Sequence, residues 1–161
     1  MDDASGAVRM ERRNRRLIKA SQLVTKGKTD VLKEANMKEA AKTILIIDDD
    51  SRNTFALSAV LRSKGYQTVS APGMKEAFNI LNEDKKVGII LLDMMMPDMD
   101  GYQALPKLKG DERWSNIPVV SVTAQAMTGD KERCLAAGAD AYLSKPVDVD
   151  QLLDVLKEQL K

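Results

Sequence analysis

The sequence predicts an α/β fold for residues 43–161, in which a parallel sheet of five strands is covered by helices on both faces. Short apolar runs such as Ile44–Ile47 and Ile89–Leu92 have the length and composition of strands that are buried on both faces. Segments with apolar residues at helical spacing alternate with these runs, and turn residues separate them. A regular alternation of strands and helices is typical of repeated βα units, which form a doubly wound sheet.

Five βα units follow one another along the chain with short connections. The predicted strands are 44–47, 66–71, 87–93, 119–122 and 141–143. The predicted helices are 53–64, 74–82, 101–109, 129–137 and 149–160. In the first helix, Leu57, Val60 and Leu61 fall at positions i, i+3 and i+4, and Gly65 marks its end. Pro106 lies inside the third helix, where a proline removes one backbone hydrogen bond and disfavours a regular helix.

Residues 1–42 differ from the remainder in charge. They contain eleven Lys and Arg against six Asp and Glu, whereas residues 43–161 contain fourteen against eighteen. We therefore expect a basic N-terminal extension, helical or partly disordered, followed by one folded domain at 43–161. A solvated tail, a docking or dimer helix and a nucleic-acid contact all fit this composition. Nucleic acid is the least favoured partner, because residues 1–42 lack aromatic side chains that could stack on bases.

The composition excludes several classes of chemistry. The chain has no histidine, so it cannot carry a Ser-His or Cys-His catalytic pair or a histidine-ligated metal site. Its single cysteine, Cys134, excludes an internal disulfide and is expected to be a small packed residue. Apolar runs are too short to span a bilayer, and the N-terminus does not resemble a secretory signal. A cytoplasmic protein without membrane association is expected.

Polar side chains follow four of the predicted strands. Asp48 and Asp49 come directly after the first strand, and Asp93 ends the third. Thr123 follows the fourth strand, and Lys145 lies just beyond the fifth. Because the carboxyl ends of parallel strands meet at one edge of the sheet, where ligands bind in this architecture, we expect these five side chains to converge.

Three converging carboxylates repel one another, so they require either a proton or a cation among them. Mg²⁺ suits an oxygen-only site, and Asp48 with Asp49 is the expected ion site. Asp93 is then free to attack a phosphorus atom and form an aspartyl phosphate. Lys145 supplies a positive charge and Thr123 a hydroxyl donor for the phosphoryl oxygens. The strand ends thus predict a phosphoaspartate site.

Four motifs together resemble the receiver domains of two-component response regulators, over residues 43–161. The motifs are Ile-Leu-Ile-Ile-Asp-Asp at 44–49, Leu-Leu-Asp-Met-Met-Met-Pro-Asp-Met-Asp-Gly at 91–101, Val-Val-Ser-Val-Thr-Ala at 119–124 and Tyr-Leu-Ser-Lys-Pro at 142–146. Each motif alone is a weak signal, whereas four of them in register on successive strands are specific. The resemblance implies a flavodoxin-like sheet with strand order 2-1-3-4-5.

The resemblance also implies roles for individual residues. Asp93 would accept a phosphoryl group from a histidine kinase or a histidine phosphotransfer protein. Asp48, Asp49 and the backbone carbonyl of Met95 would hold Mg²⁺. Thr123 and Lys145 would bind the phosphoryl oxygens. The module would catalyse its own phosphorylation and dephosphorylation rather than act as an enzyme on other substrates.

A switch between two states is implied as well. Tyr142 is similar to the family's switch aromatic, which turns inward as Thr123 moves toward the phosphate and reshapes the surface of the fourth helix and fifth strand. The peptide bond between Lys145 and Pro146 is expected to be cis. Since the sequence stops at the last helix, we expect the output to be a contact with a downstream protein. A homodimer through residues 1–42 or the last helices is a further expectation.

Other interpretations of the same residues remain open at this point. The run Asp48–Asp50 also suits a helix N-cap, and Asp98 and Asp100 suit a turn and a cap. Tyr142 could be an ordinary aromatic at the edge of the core. A magnesium-dependent phosphatase of the haloacid dehalogenase kind uses similar residues, but its nucleophile follows the first strand, whereas Asp93 ends the third. An inactive receiver-like scaffold is the third alternative.

Overall fold

A parallel sheet of five strands forms the centre of the described domain. The computed structural model describes residues 43–83, 86–124 and 127–160, so the predicted basic extension at 1–42 lies outside the described residues. The strands are β1 (Thr43–Ile47), β2 (Gln67–Ala71), β3 (Val87–Asp93), β4 (Val119–Thr123) and β5 (Ala141–Ser144). All are parallel and their order is β2-β1-β3-β4-β5, which confirms the predicted flavodoxin-like topology.

Five helices connect or follow the strands. They are α1 (Ser51–Ser63), α2 (Met74–Asn82), α3 (Gly101–Gly110), α4 (Asp130–Ala136) and α5 (Val149–Gln159). Helix α1 begins two residues earlier than predicted because the Asp50 carboxylate accepts a hydrogen bond from the N–H of Arg52, at 3.0 Å, and caps the helix. Within the described ranges, no helix combines the length and the apolar character needed to cross a membrane.

Helix α3 continues through Pro106 to Gly110. The proline nitrogen cannot donate to the carbonyl four residues earlier, so the helix lacks one of its internal hydrogen bonds. Two features compensate for this loss. Asp100 and Gln103 form a capping box at its N-terminus, and Leu105 and Leu108 are fully buried against the sheet.

Both faces of the sheet are covered, which explains why the central strands are apolar at nearly every position. In β1, the side chains of Ile44 and Ile46 pack on one face with residues of α1 and α5. Those of Leu45 and Ile47 pack on the other face with residues of α2 and α3. Alternate residues of one strand therefore belong to two separate core clusters.

The amino ends of β4 and β5 are tied together by a polar cluster. The Lys109 ammonium, near the end of α3, donates to the Ile117 carbonyl at 3.0 Å and forms an ion pair of 2.6 Å with Asp140. The same carboxylate of Asp140 accepts from the N–H of Val119 at 2.8 Å. These bonds join α3 and both strands at the sheet edge opposite the one where the strands end.

Gly101 is required by a close approach between α3 and the segment after β3. A Cβ at this position would lie 2.8 Å from the Met94 Cα and would collide with the Met94 sulfur. We expect Gly101→Ala to lower the free energy of unfolding by about 1 to 3 kcal/mol, measured by urea denaturation with far-UV circular dichroism. Gly110→Ala is the matched control, because nothing lies within 4 Å of a Cβ there. Equal stability of the two variants would contradict this assignment.

Candidate functional site

Four of the five side chains predicted to converge meet at the carboxyl edge of the sheet, those of Asp48, Asp49, Asp93 and Lys145. Asp48 directly follows β1, Asp93 is the last residue of β3, and Lys145 directly follows β5. The Lys145 Nζ lies 3.0 Å from the Asp48 Oδ2 and 3.4 Å from the Asp93 Oδ2. Asp48 and Asp93 are each only 4% exposed. One ammonium therefore bridges two buried carboxylates that come from different strands.

Asp48 is held by several donors. Its Oδ1 accepts from the N–H of Asp50 at 2.9 Å, and its Oδ2 accepts from the Asn53 side-chain amide at 2.7 Å as well as from Lys145. Asn53 is not among the site residues predicted from the sequence. Its role depends on where α1 begins, which was predicted two residues too late. A helix that begins at Ser51 places Asn53 in its first turn, close to the end of β1.

Asp93 is oriented by its own loop. The Met95 N–H donates to the Asp93 Oδ1 at 3.1 Å, and the Met94 N–H extends the sheet by donating to the Val122 carbonyl at 3.0 Å. The Met95 side chain is half exposed, whereas Met94 is fully buried. A role for the Met95 carbonyl as a metal ligand stays a prediction.

Thr123 lies on β4, the strand beside Asp93, and Tyr142 lies on β5, the next strand along. Thr123 ends β4 and is 3% exposed, and its carbonyl accepts from the Lys145 N–H at 2.8 Å. Tyr142, on β5, is partly buried and packs against the core cluster of α2 and α3. The Lys145–Pro146 peptide bond is cis. The roles of Thr123 and Tyr142 in switching stay predictions.

Three carboxylates could bind one cation here. Among the described residues, one oxygen from each of Asp48, Asp49 and Asp93 lies within 4.8 Å of the others, and Asp49 is exposed. The single ammonium of Lys145 offsets only part of their charge. A small, hard divalent cation with oxygen ligands fits both the remaining negative charge and the donor type. The donor set therefore fits Mg²⁺.

Neighbouring acids have structural roles that match the alternative interpretations of the sequence. Asp50 caps α1, and Asp100 caps α3 by accepting from the Gln103 N–H at 2.9 Å. Asp98 has a φ of 66°, a left-handed turn conformation that Asp tolerates better than most residues. Asp50 and Asp100 thus cap helices, and Asp98 forms a turn.

The environment shifts the three central pKa values in different directions. Burial raises the pKa of Asp93 to about 6, and the nearby charge of Asp48 adds to the increase. Burial also disfavours the charged form of Asp48, but the bonds from Asp50, Asn53 and Lys145 hold its pKa below its ordinary value. Burial opposes the charge of Lys145, yet its bond to Asp48 and the charge of Asp93 raise its pKa overall.

The raised pKa of Asp93 predicts that its charge opposes folding when no metal is bound. An acid whose pKa is higher in the folded state stabilises the fold at low pH, and this stabilisation is lost as the pH rises toward about 6. With a chelator at about pH 7.5, we expect Asp93→Asn to raise the free energy of unfolding by about 1 to 3 kcal/mol. Urea denaturation at about pH 7.5 and about pH 4 measures the difference in free energy of unfolding between the variant and the wild type. This difference should disappear near pH 4. The same difference at both pH values would refute the assignment.

Comparison with known proteins agrees with this geometry. Residues 44–157 match the family model described as the response regulator receiver domain. The polar-differentiation response regulator DivK of Brucella ovis is 34% identical over 119 residues, which cover 74% of this chain and 96% of that protein.

Solved structures show the same likeness. A response regulator structure from Chloroflexus aurantiacus has a TM-score of 0.69 and 29% identity, covering 74% of this chain and 97% of its own. The receiver domain of a sensor histidine kinase from Pseudomonas aeruginosa has a TM-score of 0.67 and 32% identity, with the same coverage, and is described with a magnesium ion coordinated in its active site cleft. This chain belongs to the response regulator receiver domains of two-component signalling.

Proposed function

We propose that the chain is a phosphorylation-dependent switch in which Asp93 accepts a phosphoryl group from a phosphohistidine. The observation that carries this proposal is the position of the Lys145 ammonium, 3.4 Å from the Asp93 carboxylate and 3.0 Å from that of Asp48. This arrangement puts a cation beside a buried acceptor. Residues 1–161 contain no histidine, so the phosphohistidine lies outside this sequence, on a histidine kinase or a histidine phosphotransfer protein.

Asp48, Asp49 and the backbone carbonyl of Met95 are the groups that would hold Mg²⁺. When bound, the ion supplies positive charge that offsets the charge of the phosphoryl oxygens in the transition state. Asn53 and the Asp50 N–H keep two hydrogen bonds on Asp48, at 2.7 and 2.9 Å. Asp48 thus remains oriented when Lys145 turns away from it.

The transfer step forms one bond and breaks one. An ionised oxygen of Asp93 attacks the phosphorus, the bond from phosphorus to the imidazole nitrogen of the donor breaks, and that nitrogen keeps the electron pair and takes up a proton from solvent. The Lys145 ammonium moves from the carboxylates to the phosphoryl oxygens as negative charge develops there. The Thr123 hydroxyl donates a hydrogen bond to one of these phosphoryl oxygens. Attack of water on the phosphorus later restores the carboxylate and releases inorganic phosphate.

The switch output would arise on the surface of α4 and β5. The bond between the Thr123 carbonyl and the Lys145 N–H connects the ends of β4 and β5, so a movement of Thr123 toward the phosphate is passed to the neighbouring strand. Tyr142 lies on that strand and would turn inward as space opens beside Thr123. A downstream protein that contacts this surface would then distinguish the two states.

Among the acids of this edge, Asp93 alone should carry the phosphoryl group. We expect acetyl phosphate with Mg²⁺ to form a covalent adduct, detected by mass spectrometry, and Asp93→Asn to abolish it. Asp98→Asn is the matched control, because it makes the same chemical change in the same loop at a residue with a φ of 66°, which Asn also adopts. An adduct on another residue would refute the proposal, and turnover of aryl phosphates would indicate a phosphatase instead.

Lys145→Met should separate phosphoryl transfer from metal binding. The variant keeps the length of the side chain but removes its charge, so we expect the phosphorylation rate to fall roughly 100-fold. Mg²⁺ affinity, measured by calorimetry, should stay the same or increase, because the carboxylates lose their competing ammonium. Loss of Mg²⁺ binding in a folded variant would show that Lys145 acts by organising the carboxylates and not on the phosphoryl group.

A further inference from the structure

Helix α4 is held to the domain by few contacts. It has seven residues, of which Asp130 and Cys134 are buried, and its N-cap Gly129 adopts a φ of 94° without a side-chain capping bond. Leu135 is 40% exposed. A helix of this length has little stability of its own, so tertiary contacts determine its position.

Tyr102 of α3 makes two of these contacts. Its hydroxyl oxygen lies 3.6 Å from the Cys134 sulfur, at hydrogen-bonding distance. The Arg133 guanidinium lies over its ring, 4.0 Å from the centroid, in the geometry of a cation–π contact. Two successive residues of α4 therefore contact the same side chain of α3.

Tyr142 packs on the core cluster to which α4 contributes Cys134. Cys134 belongs to the core cluster against which both tyrosine rings pack. Burial raises the pKa of Tyr142, and the negative charge of Asp130 in α4 adds to the increase. Helix α4 thus packs on the same core cluster as a tyrosine from α3 and the tyrosine at which the proposed switch acts.

We propose that Tyr102 is a latch that holds α4 in the position it has in the unphosphorylated protein. Phosphorylation has to break the contacts of Tyr102 with Arg133 and Cys134. This inference rests on the proposed function, because it assumes that the surface of α4 and β5 is rearranged. The contacts suit a latch, since the Arg133 side chain is exposed and can leave the ring without opening the core. A latch of this kind determines what fraction of the unphosphorylated molecules adopts the activated conformation.

Substitutions that remove the latch contacts should lower the free energy of the activated conformation relative to the inactive one. Beryllofluoride with Mg²⁺ serves as the probe, and the amide NMR resonances of β3 report its binding. Tyr102→Phe removes the hydroxyl and keeps the ring, Tyr102→Leu removes both contacts, and Arg133→Gln removes the cation. We expect the half-saturating beryllofluoride concentration to fall about twofold in Tyr102→Phe and about fivefold in Tyr102→Leu, with Arg133→Gln between them.

Arg113→Gln is the matched control. The Arg113 guanidinium also lies over an aromatic ring, 4.3 Å from the centroid of Trp114, but it contacts neither α4 nor β5 in any bond that the described residues show. Arg113→Gln should leave the half-saturating beryllofluoride concentration unchanged. Because Arg133 is exposed, Arg133→Gln should fold even if Tyr102→Leu does not.

The outcomes separate the two proposals. If the wild type does not bind beryllofluoride, the proposed function fails and the latch fails with it. If the wild type binds and the Tyr102 and Arg133 variants have the same or a higher half-saturating concentration, the latch alone is refuted. A fall of the same size in Arg113→Gln would refute it too, because the effect would then be one of net charge.

Discussion

The ion pairs of Lys145 with Asp48 and Asp93 are the interaction on which the remainder of the site depends. Two carboxylates that are each 4% exposed repel one another, and one ammonium at 3.0 and 3.4 Å offsets part of their negative charge. The compensation is incomplete, because burial still raises the pKa of Asp93 to about 6. The site therefore favours additional positive charge, which the proposed binding of Mg²⁺ would supply.

The parallel sheet provides the geometry for this arrangement. Asp48, Asp93, Thr123 and Lys145 are far apart in the sequence, yet each lies at or just beyond the carboxyl end of its strand. Backbone bonds fix their relative positions, since the Met94 N–H donates to β4 and the Lys145 N–H donates to the Thr123 carbonyl. The rim of a covered sheet can therefore hold charged groups beside compensating hydrogen-bond donors, while the core between sheet and helices stays apolar.

The fold and the central residues of the site were predictable from the sequence because their signals are local. Apolar runs that end in Asp48 and Asp93 mark strand ends, and the rule for parallel sheets brings those ends together. Asn53 was missed because its orientation depends on where α1 begins, and the contact between Tyr102 and Cys134 was missed because it joins two helices 32 residues apart. Helix rotation and packing between helices leave no local pattern in one sequence.

The polar cluster of Lys109, Asp140 and the amino end of β4 makes the two ends of β4 and β5 unequal, because it holds only their amino ends. Its ion pair and backbone bonds clamp one end of β4 and β5, whereas the opposite ends carry Thr123 and Lys145. In the proposed switch, we therefore expect a displacement of Thr123 to move the carboxyl ends of β4 and β5 and the segments that follow them more than the amino ends that this cluster holds.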